Sequence, residues 1–191
     1  MKQKKGTPGY LDHQLKIEIL KAIVSFALVL AILFLGIMQT GSRLNLLTIV
    51  AILGALPASH VLVGVIVRFP HRSISDEVAK EIQEKAPNIL VIYDLIITSS
   101  EKVMPVDCIA ISEHTVCGYT RSKKVDLVYA ASHIKNILSQ NGYTKMTVKI
   151  FDGYTPFLAR AEGMNAIAEV DRTENREREE QIRRLILNIS M

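Results

Sequence analysis

AIVSFALVLAILFLGIM, residues 22–38, and LLTIVAILGALPASHVLVGVIV, residues 46–67, decide the fold of this chain. Neither stretch contains a charged residue, and at about 1.5 Å per residue they reach roughly 25 and 33 Å as helices. The hydrocarbon core of a bilayer is about 30 Å thick. The two stretches therefore predict a transmembrane helical hairpin over residues 22–68, with residues 39–45 as its loop. A hydrophobic content of 49% over 191 residues agrees with a membrane protein.

Basic residues predict the orientation of the hairpin. Five lysines precede the first stretch, Arg68 and Arg72 follow the second, and the loop holds Arg43 alone. Cytoplasmic flanks of membrane spans carry the excess of Lys and Arg. We therefore expect a cell-membrane protein with two spans, whose basic segment over residues 1–21 and both termini lie in the cytoplasm. A cleaved signal peptide is the alternative for the first stretch, but no A-x-A-like site follows Met38.

The net charge of +4 is divided unevenly along the chain. Residues 1–68 hold seven bases and two acids, a charge of +5, whereas residues 69–191 hold sixteen bases and seventeen acids, a charge of −1. Phosphate contacts require clustered Lys and Arg. The charge therefore argues against nucleic acid as a partner and makes the lipid bilayer the expected one.

Three residues of the second stretch, Pro57, Ser59 and His60, are predicted near the middle of the membrane. An ionisable residue at that depth is costly unless it is neutral or partnered. The favoured interpretation is a neutral His60 that donates one hydrogen bond to the facing helix while Pro57 kinks its own, and the alternative is a functional His60. Gly54 and Ala58 form a small-xxx-small face, which predicts close packing on the first helix or on a second copy in a homo-oligomer.

Residues 73–191 are numerous enough to bury one core and predict an α+β fold. Ser75 and Asp126 are residue types that cap helices, and β-branched and aromatic runs indicate the strands. The predicted order is a helix, a three-strand antiparallel meander, a helix, a strand and two helices. These elements are expected at 76–85, 88–98, 103–111, 115–120, 126–140, 145–151, 155–163 (closed by Gly163) and 172–189 (capped near Asp171).

PVDCIAISEHTVCGYT, residues 105–120, predicts a hairpin that places Asp107 opposite Thr120 if the turn is at 113–114. The element order resembles the PD-(D/E)xK nuclease-like fold, in which an Asp and a (D/E)xK motif hold a divalent metal that activates water. The resemblance makes Asp107 a candidate catalytic residue. The other family positions hold Gly118 and Thr120 instead of acid and lysine, so it implies a degenerate relative. The alternative is that Asp107 is an ordinary turn or edge residue.

Four short sequence motifs of this chain also occur in a second group of proteins. They are MPV at 104–106, VCGYT at 116–120, NGY at 141–143 and VKIF at 148–151. Over nearly its full length the chain is similar to a group of small two-span proteins from Gram-positive anaerobic bacteria, some of them labelled O-linked GlcNAc transferase-like. This resemblance implies the architecture, but no residue supports the transferase label, because no DxD motif or helical repeat is present.

Other catalytic signals are incomplete. Cys108 and Cys117 are predicted as diagonal neighbours on one strand pair, with reduced thiols in the core. A nucleophile made of Cys117 with His114 or His133 has no supporting motif. The chain has no GxxxxGK[ST], GxGxxG, GxSxG or zinc-ligand spacing, so neither a cofactor nor a metal is predicted.

The last helix is predicted to have an exposed, charged side and one apolar stripe. Acids and bases four residues apart support the exposed side. The stripe is too short for a coiled coil, so we expect it to dock on its own domain, with a partner or a membrane surface as the alternative. It consists of Ile182, Leu185, Ile186 and Ile189.

These observations lead to three functional hypotheses. The first is a membrane-anchored, non-enzymatic protein whose cytosolic domain binds or regulates a protein partner. The second is a membrane-tethered, degenerate nuclease-like protein centred on Asp107. The third is an accessory subunit of a transporter or sensor that uses His60.

Overall fold

The computed structural model describes residues 4–42, 45–99, 102–170 and 176–190. Its contacts divide the chain into two compact units. One is a helical hairpin over Leu11–Arg72, and the other, called the α+β domain below, combines Ser73–Met191 with the chain up to Tyr10. The domain predicted over 73–191 is therefore joined by the first residues of the chain, which precede the hairpin in sequence.

The helical hairpin consists of α1 (Tyr10–Thr40) and α2 (Leu46–Arg68). Both helices are long and apolar enough to cross a membrane, as the sequence predicts. α1 begins well before Ala22 and reaches roughly 46 Å, against roughly 34 Å for α2. The Asn45 side chain caps α2 by accepting the Thr48 N–H at 2.8 Å.

The small residues of α2 face α1. Ala51 and Ala58 are buried, and a Cβ at Gly54 would lie 3.4 Å from Cγ2 of Val29 in α1. The sequence left two partners open for the Gly54–Ala58 face. In this structure the face packs on the first helix of the same hairpin.

The α+β domain has the predicted order of elements. Helix α3, capped by Ser75, precedes the meander, and α4, capped by Asp126, precedes the fourth strand. The bounds are α3 (Asp76–Lys85), β1 (Leu90–Thr98), β2 (Val103–Ser112), β3 (Thr115–Tyr119), α4 (Leu127–Gln140), β4 (Thr147–Phe151), α5 (Tyr154–Val170) and α6 (Arg176–Asn188).

The four strands form one mixed sheet in the order β1-β2-β3-β4. β1, β2 and β3 pair antiparallel, and β4 returns parallel to β3 after the α4 crossover. The predicted turn at 113–114 is confirmed, because Cys108 pairs with Tyr119 and Ile109 with Gly118.

Helices cover both faces of the sheet. On one face α4 and α6 contribute Ile134 and Ile182 to the larger apolar core, and on the other α3 and α5 contribute Ile82 and Phe157 to the second. The domain therefore has three layers. The prediction that the stripe of the last helix docks on its own domain is confirmed by the burial of Ile182 and Ile186.

The end of α5 differs from the sequence prediction. Gly163 does not close α5, which continues to Val170. Phe157, Ala161 and Met164 are buried on this helix, and their packing outweighs the cost of about 1 kcal/mol for one glycine in a helix. α6 begins at Arg176, and the predicted cap near Asp171 lies outside the described residues.

Candidate functional site

β1 has a kink at Asp94, which lies opposite Asp107 of β2. The pairs Tyr93–Cys108 and Leu95–Val106 flank this position, and Asp94 has a φ of 57°. In a regular strand, residues three apart point to opposite faces. Here Ile92 and Leu95 both join the larger core, so the pleat is interrupted. The two aspartates therefore lie at a break in the sheet.

Both chain segments that continue into the helical hairpin are bound at this kink. The Asp94 side chain is buried, and its Oδ1 accepts the N–H of Ile74 at 2.9 Å. The N–H of the adjacent Tyr93 donates to the carbonyl of Gly6 at 3.0 Å. The segment that precedes the hairpin and the segment that follows it are thus attached to neighbouring residues of β1.

The position that binds Tyr93, residue 6, requires glycine because of its backbone conformation. Its φ is +86°, and a Cβ there would lie 3.0 Å from Cδ2 of Leu187. The side chain of Lys5 donates to the carbonyl of Ser190, and Ser190 forms a bridge with Ile97. The two ends of the chain therefore meet along the outer edge of β1, where they cover backbone groups that an edge strand leaves unpaired.

Asp107 binds Arg121 through both of its oxygens. The Arg121 backbone N–H donates to Oδ2 at 2.6 Å, and Nε and Nη2 lie 2.9 and 2.7 Å from Oδ1. Nη2 also donates to the carbonyl of Ser73 at 3.1 Å. Asp107 thus orients a guanidinium that holds the first residue of the chain after the hairpin.

We call these residues together the stem junction: Gly6, Ser73, Ile74, Tyr93, Asp94, Asp107 and Arg121. They come from the segments before and after the hairpin, from the adjacent strands β1 and β2, and from the segment that follows β3. Such charge-assisted, multiply bonded contacts are stronger and more directional than single neutral hydrogen bonds. The junction can therefore fix the conformation of both connecting segments.

Burial and the charge of Asp107 together set the ionisation of the groups around the stem junction. Burial lowers the pKa of Arg121, but its hydrogen bond to Asp107 and the charge of Asp107 raise that pKa above its usual value. Burial raises the pKa of the Cys108 thiol far above its usual value, and the charges of Asp107 and Asp94 add to the effect. Arg121 therefore stays a cation and Cys108 a neutral thiol, which makes Cys108 a poor nucleophile.

The nuclease-like positions do not meet as a catalytic set. A Cβ at Gly118, the position of the second carboxylate, would lie 2.5 Å from Cδ1 of Ile150, so the core fills that space. Thr120, at the lysine position, is buried and donates to the carbonyl of Pro105 at 2.8 Å. Asp107 itself is engaged by Arg121. In the described ranges, no group of three His, Cys, Asp or Glu side chains is close enough to hold a metal ion.

The cysteines and histidines named from the sequence lie apart. Cys108 and Cys117 are buried, unpaired thiols on the face covered by α3 and α5, in the predicted diagonal register. The sulfur of Cys117 lies 3.1 Å from that of Met164. His114 is in the β2–β3 turn, and His133 on α4 stacks on Tyr129. The structure does not bring a histidine to Cys117.

In the hairpin, the three polar positions of α2 differ in their contacts. Pro57 lies within the helix, and Ser59 Oγ donates to the carbonyl of Ala55 at 2.8 Å. His60 is exposed and has no hydrogen-bond partner in the part of the chain that the structure describes. Because it is 200° around the helix from buried Ala58, it faces away from α1. The expected hydrogen bond from His60 to the facing helix is therefore wrong.

Asp94 is the functional residue that sequence reasoning missed. It is the only charged residue in the run NILVIYDLIIT at 88–98. A lone carboxylate in a buried strand must have a partner, which is the signal that could have identified it. The partner, the Ile74 amide, is visible only in the fold.

Comparison of this chain with family models, curated proteins and solved structures finds no match. Fold and site therefore define its class directly: a three-layer α+β domain whose stem junction binds the chain segments before and after a helical hairpin, which is long and apolar enough to cross a membrane.

Proposed function

We propose that this protein is a membrane-anchored, non-enzymatic interaction or regulatory protein. Its helical hairpin spans the cell membrane twice with both termini in the cytoplasm, and the α+β domain binds a protein partner at the cytoplasmic face. The basic flanks of the hairpin support the orientation. The nearly neutral charge of residues 69–191 supports a protein as the partner in preference to nucleic acid.

The stem junction is the observation that carries this proposal. A domain that only needed to be near the membrane would function on one flexible linker. Here Asp94 binds the chain that follows the hairpin, and Tyr93 binds the chain that precedes it. The domain therefore holds both of the segments that connect it to the hairpin, which supports a domain that acts at the membrane.

In this proposal the candidate catalytic side chains have structural roles. Asp107 orients Arg121, and Cys108 is a buried thiol with a strongly raised pKa. Catalytic groups need access to a substrate as well as a suitable pKa. The degenerate nuclease-like hypothesis remains a prediction of the sequence, and Asp107 is the residue that tests it.

A second candidate is an accessory subunit of a transporter or sensor. The stem junction favours it, because a change in either connecting segment would act on the edge strand β1 at Tyr93 and Asp94. His60, exposed on α2, would then contact another membrane protein.

The test uses the full chain in two assays. In the first, the chain purified in detergent is incubated with Mg²⁺ or Mn²⁺ and with DNA or RNA, beside Asp107→Ala. We expect equal, background cleavage from both, and cleavage that Asp107→Ala abolishes would overturn the non-enzymatic proposal.

In the second assay, a photo-crosslinking residue replaces Val128, which is 77% exposed on α4. The matched control position is Lys145, which is exposed before β4. We expect a discrete protein adduct in the membrane fraction from Val128 and none from Lys145. Recovery of the chain as a soluble protein after cell lysis would contradict membrane anchoring.

A further inference from the structure

The outer side of α2 carries a seam of exposed residues with His60 at its centre. Their spacing alternates between four and three residues, which is the a/d pattern of a helix that packs in a coiled-coil-like pair. The apolar members are at least 39% exposed. This outer seam consists of Ile49, Leu53, Leu56, His60, Val63 and Val67.

The inner side of the same helix is already occupied. Ala51 and Ala58 are buried, and Gly54 packs against Val29 of α1. The outer seam is on the opposite side of α2, and among the described residues no group of α1 hydrogen-bonds to the His60 imidazole. Ser59, the adjacent polar residue, is satisfied within its own helix by the Ala55 carbonyl. His60 is therefore the polar group of α2 that requires an external partner.

The chemistry of imidazole allows a second His60 to be that partner. A neutral imidazole has one N–H donor and one nitrogen acceptor, so two of them can bond to each other. In a twofold dimer of chains inserted in the same direction, each residue near the axis meets its own copy at the same depth. His60 is three residues from the centre of α2, roughly 4.5 Å along the axis, where water is not available as a partner.

We propose that a second copy of this chain covers the outer seam, forming a parallel dimer in which the two His60 imidazoles hydrogen-bond across the twofold axis. The apolar members of the seam pack on both sides of this pair. A single polar position within an apolar a/d seam fixes the register of the two helices. This inference rests on the proposed insertion of the hairpin in a membrane.

The first test measures self-association of the full chain in liposomes. Donor- and acceptor-labelled chains are mixed over a series of lipid dilutions, and energy transfer gives the association constant. We expect His60→Leu to weaken association about 3- to 20-fold, the range for one interhelical hydrogen bond in a membrane. His60→Asn should retain dimerisation, because an amide also carries a donor and an acceptor. Ser59→Ala is the matched control and should leave the constant unchanged.

The second test maps the interface with single cysteines on α2. Leu56→Cys lies within the outer seam, whereas Ile66→Cys is equally exposed but 120° around the helix from His60. We expect oxidation in membranes to crosslink two copies through Leu56→Cys and not through Ile66→Cys. The native cysteines add little background because both are buried.

Alkaline extraction of the same membranes tests membrane anchoring separately from dimer formation. A chain extracted as a soluble protein would overturn membrane anchoring and the dimer together. A chain retained in the membrane but monomeric, equally associated after His60→Leu, or crosslinked at Leu56→Cys to a different protein would overturn the dimer alone. The last result would favour the accessory-subunit function.

Discussion

Replacing Asp94 tests the stem junction through the stability of the α+β domain. Asp94→Ala removes the acceptor of the Ile74 N–H at 2.9 Å and forces alanine to a φ of 57°. A buried N–H without a partner costs about 1–3 kcal/mol. Aspartate tolerates the left-handed region better than alanine does, so alanine adds part of a backbone cost of about 1–2 kcal/mol. The variant should therefore lose about 2–4 kcal/mol of unfolding free energy.

Two further variants at Asp94 separate these contributions. Asp94→Gly accepts the backbone conformation but lacks the acceptor, and should lose about 1–3 kcal/mol. Asp94→Asn keeps an oxygen acceptor and tolerates a positive φ, so it should lose less than about 1 kcal/mol. The difference between the glycine and alanine variants then reports the cost of the backbone conformation.

The assay is pulse proteolysis of the full chain in detergent micelles over a series of urea concentrations. With a slope of about 2 kcal/mol per molar urea, Asp94→Ala should lower the midpoint by about 1–2 M. Hydrogen exchange of the Ile74 amide gives a local readout, and its protection should be lost in the alanine and glycine variants. A midpoint for Asp94→Ala equal to that of the wild type, or an asparagine variant as unstable as the alanine variant, would refute the reasoning.

Two glycines and one buried glutamate give the remaining stability predictions. Gly118→Ala should lose about 1–3 kcal/mol, because its Cβ would lie 2.5 Å from Cδ1 of buried Ile150. A Cβ at Gly163 would meet nothing within 4 Å, so Gly163→Ala should gain about 0.5–1 kcal/mol of unfolding free energy. Urea midpoints of the two glycine variants that shift in the same direction would contradict this pair of predictions. Burial raises the pKa of Glu179 above 4.5, although its bond from the Glu113 N–H lowers it. The folded state therefore binds the carboxyl proton of Glu179 more tightly than the unfolded state does. The resulting contribution to the unfolding free energy is complete below about pH 4.5 and is lost as pH rises through the folded-state pKa. Glu179→Gln keeps an acceptor and should remove that loss, so its Tm should improve relative to the wild type between about pH 4 and pH 7. A constant difference in Tm over this range would count against a raised pKa.

Local sequence signals were sufficient for most of the fold. Capping residues such as Ser75 and Asp126 and runs of β-branched residues predict the order of elements in the α+β domain, because each is decided within a few residues. The end of α5 was missed at Gly163, where burial of Met164 and its neighbours on the helix outweighs a local preference. Tertiary contacts override propensity in such cases.

The stem junction depends on long-range pairing and was only partly predictable. Asp107 could be named from its strand and from the register of the β2–β3 hairpin. Its partner Arg121 follows β3 directly, yet the contact of Arg121 with Ser73 joins residues 48 positions apart. The bond from Tyr93 to Gly6 and the kink at Asp94 likewise require the complete sheet, so no local pattern contains them.

Cysteine labelling of intact cells tests the central claim, that the hairpin spans the membrane and presents the domain to the cytoplasm. Gln39→Cys, exposed at the end of α1, and Ser139→Cys, exposed on α4, are treated separately with a membrane-impermeant maleimide. The native Cys108 and Cys117 are buried, and burial raises the pKa of both thiols, so they contribute little background. We predict labelling of Gln39→Cys in intact cells and of Ser139→Cys only after permeabilisation. Labelling of Ser139→Cys in intact cells would contradict the proposed orientation and, with it, a cytoplasmic partner.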